Sequence, residues 1–163
     1  KKFFEKAKGI IEDFVKNNFD KDNLPIALEL PFRFALGNLK IGGRIDRIDN
    51  IGGNKIEIID YKTGGNTFDE KKLASDPQLN VYALAATEVH DKILHKKPEE
   101  VVLSLYFLES NKKLTTTRTP EQLKEAKKSI LQKADEISKS KFLCSGSNLC
   151  AYCEYKILCS AKS

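Results

Sequence analysis

Several features that would place this chain in other protein classes are missing from its sequence. No apolar run approaches the ~18 residues that a membrane-spanning helix needs, so no membrane partner is expected. The first residues, Lys1-Lys2-Phe3-Phe4-Glu5, become charged too early for a secretory signal peptide. Methionine is absent from all 163 residues, including the first position, which predicts an N-terminally truncated fragment of a longer protein.

Cysteine is missing before Cys144, and all four cysteines lie within the last 20 residues. A disulfide framework would normally join distant parts of a secreted chain, so this distribution argues against one. Clustered cysteines in a chain without a signal peptide indicate a metal site and a cytoplasmic location.

Length and composition predict one globular domain over residues 1–163. Hydrophobic residues make up 40% and charged residues 31%, which is ordinary for such a domain, and no internal repeat is visible. The net charge of +5 permits a polyanionic partner without requiring one.

Hydrophobic spacing predicts a mixed α/β fold in which helices flank a central mixed sheet. Helices are predicted over residues 2–17, 76–90 and 120–140, with a polar loop before the second. Strands are predicted over residues 26–34, 39–49, 55–62, 101–108 and 114–118. In the first strand the apolar residues alternate and should share one side, namely Ile26, Leu28, Leu30, Phe32 and Phe34.

Two neighbouring strands of this sheet end in acidic residues. One contains Gly43-Arg44-Ile45-Asp46 and the next contains Ile58-Ile59-Asp60-Tyr61-Lys62. A hairpin can bring Asp46 and Asp60 together, where a divalent cation would offset the repulsion between their carboxylates. Lys62 lies two residues after Asp60 and therefore projects from the same face. An ammonium group there can hold an attacking water and offset developing negative charge.

This strand pair, GRIDRID followed by IEIIDYKTG, resembles the catalytic core of RecB-like and AddB-like nucleases of the PD-(D/E)xK superfamily. The resemblance covers roughly residues 28–159 and implies a restriction-endonuclease-like core. It implies that Asp46 and Asp60 bind Mg²⁺ or Mn²⁺, with the Tyr61 carbonyl as a further ligand. Lys62 and Glu29 match the remaining catalytic positions of that family.

The predicted helix after the strand pair adds Gln78 and Tyr82, which match the family's Q-x-x-x-Y signature. Their i, i+4 spacing puts both side chains on one helix face, where the resemblance implies that they orient the DNA. The implied activity is Mg-dependent hydrolysis of DNA phosphodiester bonds, as an exonuclease on single strands or duplex ends. Similar domains close UvrD-type or AddAB-type helicases, so helicase domains and a role in DNA repair and recombination are implied.

Two other interpretations remain open. A catalytically inactive domain of the same fold could bind DNA or act as a scaffold in a helicase complex, although intact Asp46, Asp60 and Lys62 argue against that loss. A zinc-ribbon-like interaction domain would account for the cysteines but leaves the strand pair unexplained.

Three further residues that could carry chemistry are interpreted as structural. Asp49 is expected to be a turn or salt-bridge residue. The family usually has a metal-binding histidine on a helix before the first of these strands, but the histidines of this chain, His90 and His95, come too late for that position. Both are interpreted as surface residues.

The C-terminal tail, residues 142–160, has C-x2-C-x5-C spacing over Cys150, Cys153 and Cys159. Four thiolates suit either Zn²⁺ or an iron–sulfur cluster, and spacing alone does not separate the two. In AddB-like nuclease domains the same triplet implies a [4Fe-4S] cluster whose fourth cysteine lies far upstream. Since no upstream cysteine is present, Cys144 is either a substitute ligand or an unrelated thiol, and a fragment lacking a ligand would lose the cluster.

Overall fold

The computed structural model describes residues 2–18, 24–63, 70–141, 148–157 and 159. The chain divides into two compact units, Lys1–Leu131 and Gln132–Ser163. The strands are β1 (Ala27–Leu36), β2 (Leu39–Asn50), β3 (Ile56–Lys62), β4 (Val101–Phe107) and β5 (Lys112–Thr116). The α-helices are α1 (Lys2–Asn18), α2 (Glu70–Ser75), α3 (Pro77–Glu88) and α4 (Pro120–Lys139). No helix in the described part of the chain is long and apolar enough to cross a membrane.

The described strands form a single mixed sheet in the order β1-β2-β3-β4-β5. β1–β2, β2–β3 and β4–β5 pair antiparallel, whereas β3 and β4 are parallel and are joined through α2 and α3. Parallel neighbours require such a crossover connection. The central strands are fully buried at Ile48, Ile58 and Leu103, and Leu79 and Leu84 of α3 complete the core around them. The predicted mixed α/β fold with flanking helices is confirmed.

Helix α2 occupies a segment that the sequence predicted as polar loop, so that prediction was wrong for Glu70–Ser75. The segment has little apolar periodicity, because Leu73 is its one large hydrophobic residue. Leu73 is nonetheless buried, and Arg118 Nη2 donates a hydrogen bond of 3.0 Å to its carbonyl oxygen. Long-range contacts therefore fix this short helix, and a local pattern could not have predicted it.

The predicted apolar face of β1 holds from Leu30 onward but not before it. Ile26 and Leu28 are 42% and 61% exposed, whereas Phe32 and Phe34 are buried. Between the two parts lies Glu29, whose φ of +50° is unusual for a residue other than glycine. Strict alternation of side chains needs regular extended backbone. The break at Glu29 therefore separates the exposed start of the strand from its buried end.

The close approach of β1 and β2 midway along their hairpin depends on glycine at position 43. Gly43 lies opposite Phe32, and a Cβ atom there would stand 2.7 Å from Phe32 Cζ. The Phe32 ring is buried against Phe34 and Tyr82 and has little room to move. We expect Gly43→Ala to lower the free energy of unfolding by about 1–3 kcal/mol, measured by urea denaturation.

The matched control for this prediction is Gly9→Ala in helix α1. A Cβ atom at Gly9 meets nothing within 4 Å. Because alanine is the better helix former, Gly9→Ala should raise the free energy of unfolding by about 0.5–1 kcal/mol. If Gly43→Ala raised the free energy of unfolding, as Gly9→Ala is expected to do, or left it unchanged, the packing explanation at Gly43 would be wrong.

Candidate active site

The β2–β3 ladder places the two predicted acidic residues next to each other. The ladder pairs Arg47 with Ile59, so the following position sets Asp46 opposite Asp60. There the backbone ladder is replaced by a side-chain bond, because the Tyr61 amide donates to Asp46 Oδ2 at 3.0 Å. The Asp46 carboxylate is therefore held against the strand end that carries Asp60 and Lys62.

Helix α3 supplies donors to one oxygen of Asp60. Gln78 Nε2 donates to Asp60 Oδ1 at 2.6 Å, and the Tyr82 hydroxyl lies 3.1 Å from the same oxygen. Gln78 Oε1 accepts a hydrogen bond of 2.7 Å from Lys62 Nζ. The Gln78 amide thus turns its NH₂ group to the carboxylate and its oxygen to the ammonium, as its donor and acceptor atoms require. Asp60, Lys62, Gln78 and Tyr82 form one network.

Tyr82 is the buried end of this network. Besides contacting Asp60, its hydroxyl accepts from Gln78 Nε2 at 2.9 Å and lies 3.1 Å from the carbonyl oxygen of Arg44. Burial raises the pKa of Tyr82 well above its usual range, and the negative charges of Asp60 and Asp46 act in the same direction. The phenol therefore stays protonated at neutral pH and remains a donor.

The second oxygen of Asp60 is left without a hydrogen bond. Asp60 is 3% exposed, and among the residues described its Oδ2 is the buried side-chain polar atom that lacks a hydrogen-bond partner. The Lys62 ammonium lies 2.6 Å from it, as an ion pair outside hydrogen-bonding geometry. The ion pair with Lys62 offsets part of the cost of burying this oxygen, while the Asp46 carboxylate nearby leaves a net negative charge at the two strand ends.

This arrangement fits a hard divalent cation held by two carboxylates. Mg²⁺ is commonly bound through one or two carboxylates, with waters and substrate phosphate as its other ligands. Asp60 Oδ2 and the Asp46 carboxylate are oxygen donors of that kind. In the described part of the chain, no three residues among His, Cys, Asp and Glu are grouped to hold a metal, so Asp46 and Asp60 are a pair without a third such side chain.

A known protein family matches nearly the whole chain. A sequence model described as the PD-(D/E)XK nuclease superfamily matches residues 3–160. The chain belongs to the PD-(D/E)XK nuclease superfamily. Nucleases of this superfamily generally use divalent metal ions, and membership supports a nuclease-type function.

Two curated proteins are similar to parts of this superfamily member. One is an ATP-dependent helicase/deoxyribonuclease subunit from Streptococcus mutans serotype c, 37% identical over 84 residues that take in 47% of this chain and 8% of that protein. The other is the Gene 69 protein of Mycobacterium phage L5, 38% identical over 65 residues, 40% of this chain and 20% of that protein. The matched parts therefore span a small fraction of both relatives.

A solved structure shares the fold of this PD-(D/E)XK chain. The crystal structure of SSO0001 superposes with a TM-score of 0.52 and 19% sequence identity. The match covers 94% of this chain and 66% of that one. At this identity the likeness concerns the fold alone.

In this family member, a group of residues behind the acidic pair was missed by the sequence analysis. The Tyr61 ring makes edge contacts with Phe14 and Tyr106, at 5.5 and 5.9 Å between ring centroids. Arg47 Nη1 lies 3.4 Å from the Tyr61 hydroxyl. Because neighbours alternate along a strand, these contacts hold Tyr61 on the face opposite Asp60 and Lys62. They support the strand end from behind.

The Arg47 side chain is itself fixed by Asp49, with 2.7 Å between Nε and Oδ1. The bond to Asp49 raises the pKa of Arg47 further above its usual range, so the guanidinium stays charged. The interpretation of Asp49 as a salt-bridge residue is confirmed. The signal for this pair in the sequence was weak, consisting only of opposite charges two residues apart on one strand.

Glu29 is not grouped with Asp46 and Asp60. Its side chain is 64% exposed, and its Oε2 lies 3.7 Å from Arg44 Nη1. Since no group of three acidic or other metal-binding residues occurs in the described ranges, its catalytic role stays a prediction. His90 and His95 are both exposed, with their rings 4.1 Å apart, which confirms that they are surface residues.

The second unit carries the cysteine tail. Cys150 lies in a short 3₁₀ helix, Asn148–Tyr152, and its carbonyl accepts from the Cys153 amide at 3.3 Å. Cys153 is exposed, and Cys150 and Cys159 are partly buried. Within the part of the chain that the structure describes, these three thiols do not form a metal-ligand group. Cys144 lies outside the described residues, so the predicted cluster or zinc site stays a prediction.

Proposed function

We propose that this chain is a Mg²⁺- or Mn²⁺-dependent nuclease domain that hydrolyses DNA phosphodiester bonds at Asp46, Asp60 and Lys62. The observation that carries the proposal is the buried Asp60 Oδ2, which has no hydrogen bond and lies beside the Lys62 ammonium. Asp46 and Asp60 at neighbouring strand ends, with one ammonium between them, leave a negative charge that a divalent cation would offset. Membership of a nuclease superfamily supports the same conclusion.

In this proposal Asp46 and Asp60 hold the divalent ion, with the Tyr61 carbonyl as a further ligand. When bound, the ion supplies Lewis-acid polarisation of the phosphodiester and balances the charge of the two carboxylates. Gln78 and Tyr82 contact Asp60 Oδ1, so the cation would bind at Oδ2, beside or in place of Lys62 Nζ.

Lys62 is proposed to act on the reacting atoms. Its ammonium is tied to Gln78 and Asp60, which fixes it at the strand end while 31% of the side chain stays exposed. From there Nζ can donate hydrogen bonds to the attacking water and to a phosphate oxygen. Such fixed donors stabilise the negative charge that grows as the water oxygen bonds to phosphorus and the bond to the leaving oxygen breaks.

The proposed substrate is DNA, as single strands or duplex ends, cleaved by an exonuclease without marked sequence preference. Contacts to the sugar–phosphate backbone carry no base information, so low specificity follows from a site that recognises a phosphodiester. The Streptococcus mutans relative is named as a helicase/deoxyribonuclease subunit. That name supports, for this chain, a proposed association with helicase domains and a role in DNA repair or recombination.

The test is cleavage of end-labelled oligonucleotides, single-stranded and duplex, with circular single-stranded DNA included to detect internal cutting. We expect cleavage of the linear substrates in Mg²⁺ or Mn²⁺, none in EDTA, and none of the circle. Asp46→Asn should reduce the rate at least about 100-fold, because it removes a charge at the proposed metal site. The new amide oxygen can still accept the Tyr61 amide, so the strand pairing is kept.

Asp135→Asn is the matched control, since it makes the same change at an exposed position of α4. Cleavage that persists in EDTA, or that is equal in Asp46→Asn and the control, would refute the proposed site. DNA binding without any cleavage would favour the inactive, DNA-holding module instead.

A further inference from the structure

The hairpin formed by β1 and β2 carries a large groove of about 1050 Å³. It is lined by residues 31–33 of β1 and 40–44 of β2, and we call it the hairpin groove. No catalytic or metal-binding candidate named above lies among its lining residues. Gly42 and Gly43, which have no side chains, are among its lining residues.

The charged side chains that line the hairpin groove are all cationic, namely Arg33, Lys40 and Arg44. Arg33 and Lys40 are exposed and form no ion pair with another described residue. Arg44 is 62% exposed and has one acidic neighbour, Glu29, at 3.7 Å. The groove therefore carries unbalanced positive charge in a chain whose net charge is only +5.

The three cations are spread along the groove. Lys40 and Arg44 are four residues apart on β2, which corresponds to about 13 Å along a strand. Arg33 pairs with Gly42, midway between them. At the roughly 3.4 Å rise of one DNA strand, this length corresponds to about four nucleotide steps. An extended polyanion suits this arrangement better than a compact anion does.

One end of the hairpin groove adjoins the candidate active site. Arg44 stands two residues before Asp46, and its carbonyl oxygen lies 3.1 Å from the Tyr82 hydroxyl. Tyr82 in turn contacts Asp60. The end of the groove at Arg44 is therefore close, along β2, to the acidic pair.

We propose that the hairpin groove binds the phosphodiester backbone of the nucleic acid that enters the active site. The inference rests on the proposed nuclease function and adds the path of the substrate. Arginine suits this role because its planar guanidinium can make paired hydrogen bonds to a phosphate. Phosphate contacts of this kind position the strand without reading its sequence.

The test measures binding separately from cleavage. Fluorescence anisotropy of labelled single-stranded and duplex oligonucleotides is recorded in EDTA, over about 50 to 200 mM salt. The variant is Arg33→Gln with Lys40→Gln, both exposed and both outside the Asp60 network. Removing two phosphate contacts should reduce the slope of log Kd against log salt by about 1.4 for a single strand or about 1.8 for a duplex.

The control is Lys92→Gln with Lys124→Gln, which removes the same charge from two exposed positions. Lys92 follows the end of α3, and Lys124, in α4, lies beside the last turn of α3. A slope that falls in the groove variant and not in the control supports the proposal. The expected fall is about 1.4 with the single-stranded oligonucleotide and about 1.8 with the duplex. An equal fall in both variants, no fall in either, or no binding by the unsubstituted chain would overturn it.

Cleavage by the unsubstituted chain in Mn²⁺ is measured alongside. If the slope changes but cleavage is absent, the nuclease proposal fails and the groove assignment stands. If cleavage is present and the slope is unchanged, the groove assignment fails alone. Circular dichroism of both double variants verifies that they are folded.

Discussion

Asp60→Asn is expected to lower the cleavage rate at least about 100-fold and to remove the effect of divalent ions on thermal stability. The change is nearly isosteric, and the new side-chain oxygen can still accept from Gln78 and Tyr82. What disappears is the negative charge at Oδ2, the buried oxygen that has no hydrogen bond. Both losses follow if that oxygen binds the cation.

The thermal measurement is independent of catalysis. A ligand present at about 100 times its Kd stabilises the folded state by about 2.7 kcal/mol, which for a chain of this size is a rise in Tm of roughly 5–10 °C. We expect Mn²⁺ to produce such a rise in the unsubstituted chain and in Asp135→Asn. A full rise in Asp60→Asn would show that the cation binds elsewhere, whatever happens to the rate.

Lys62→Met is expected to reduce cleavage by about 10²–10³-fold while keeping the rise in Tm with Mn²⁺. The ammonium is proposed to act on the water and the phosphate, so its loss should lower kcat. It also lies 2.6 Å from Asp60 Oδ2, where it repels an incoming cation. Its removal should therefore leave metal binding intact or strengthen it, in contrast to Asp60→Asn.

Lys127→Met is a close control for this substitution. Lys127 also ends 2.6 Å from a carboxylate, that of Glu88, and its side chain is 36% exposed, compared with 31% for Lys62. Glu88 is 38% exposed, so loss of this ion pair should matter little for stability, whereas Lys62→Met removes the ion pair of Asp60, whose side chain is 4% exposed. If Lys62→Met loses the Mn²⁺ effect as well as the cleavage, Lys62 serves the metal site and has no separate role in catalysis.

The candidate site follows from the sequence to the extent that it depends on local periodicity. Asp60 and Lys62 share a face because side chains alternate along a strand, and Gln78 and Tyr82 share one because of helical spacing. The structure has both pairs in a single network. A hairpin connection was enough to predict that Asp46 lies beside Asp60, which the ladder between β2 and β3 also indicates.

The position of Glu29 was beyond such arguments. Its residue type and place before Leu30 match the family pattern, yet its backbone has a positive φ and its carboxylate faces Arg44. Neither the positive φ nor the contact with Arg44 can be predicted from the spacing of hydrophobic residues. The support behind Tyr61 was equally hidden, since Phe14 and Tyr106 come from a helix and a strand far apart in the chain.

Reading the residues in order was sufficient for the class of fold, the order of nearly all its elements and the residues that share a face within each. These properties depend on side-chain periods of two and 3.6 residues, which are set within a few neighbouring positions. Packing in three dimensions was needed to show that α3 contacts one oxygen of Asp60 while Lys62 pairs with the other, and that Phe14 and Tyr106 support Tyr61 from behind. Both features join segments distant in sequence, where the pairing of particular atoms is settled only when the elements meet.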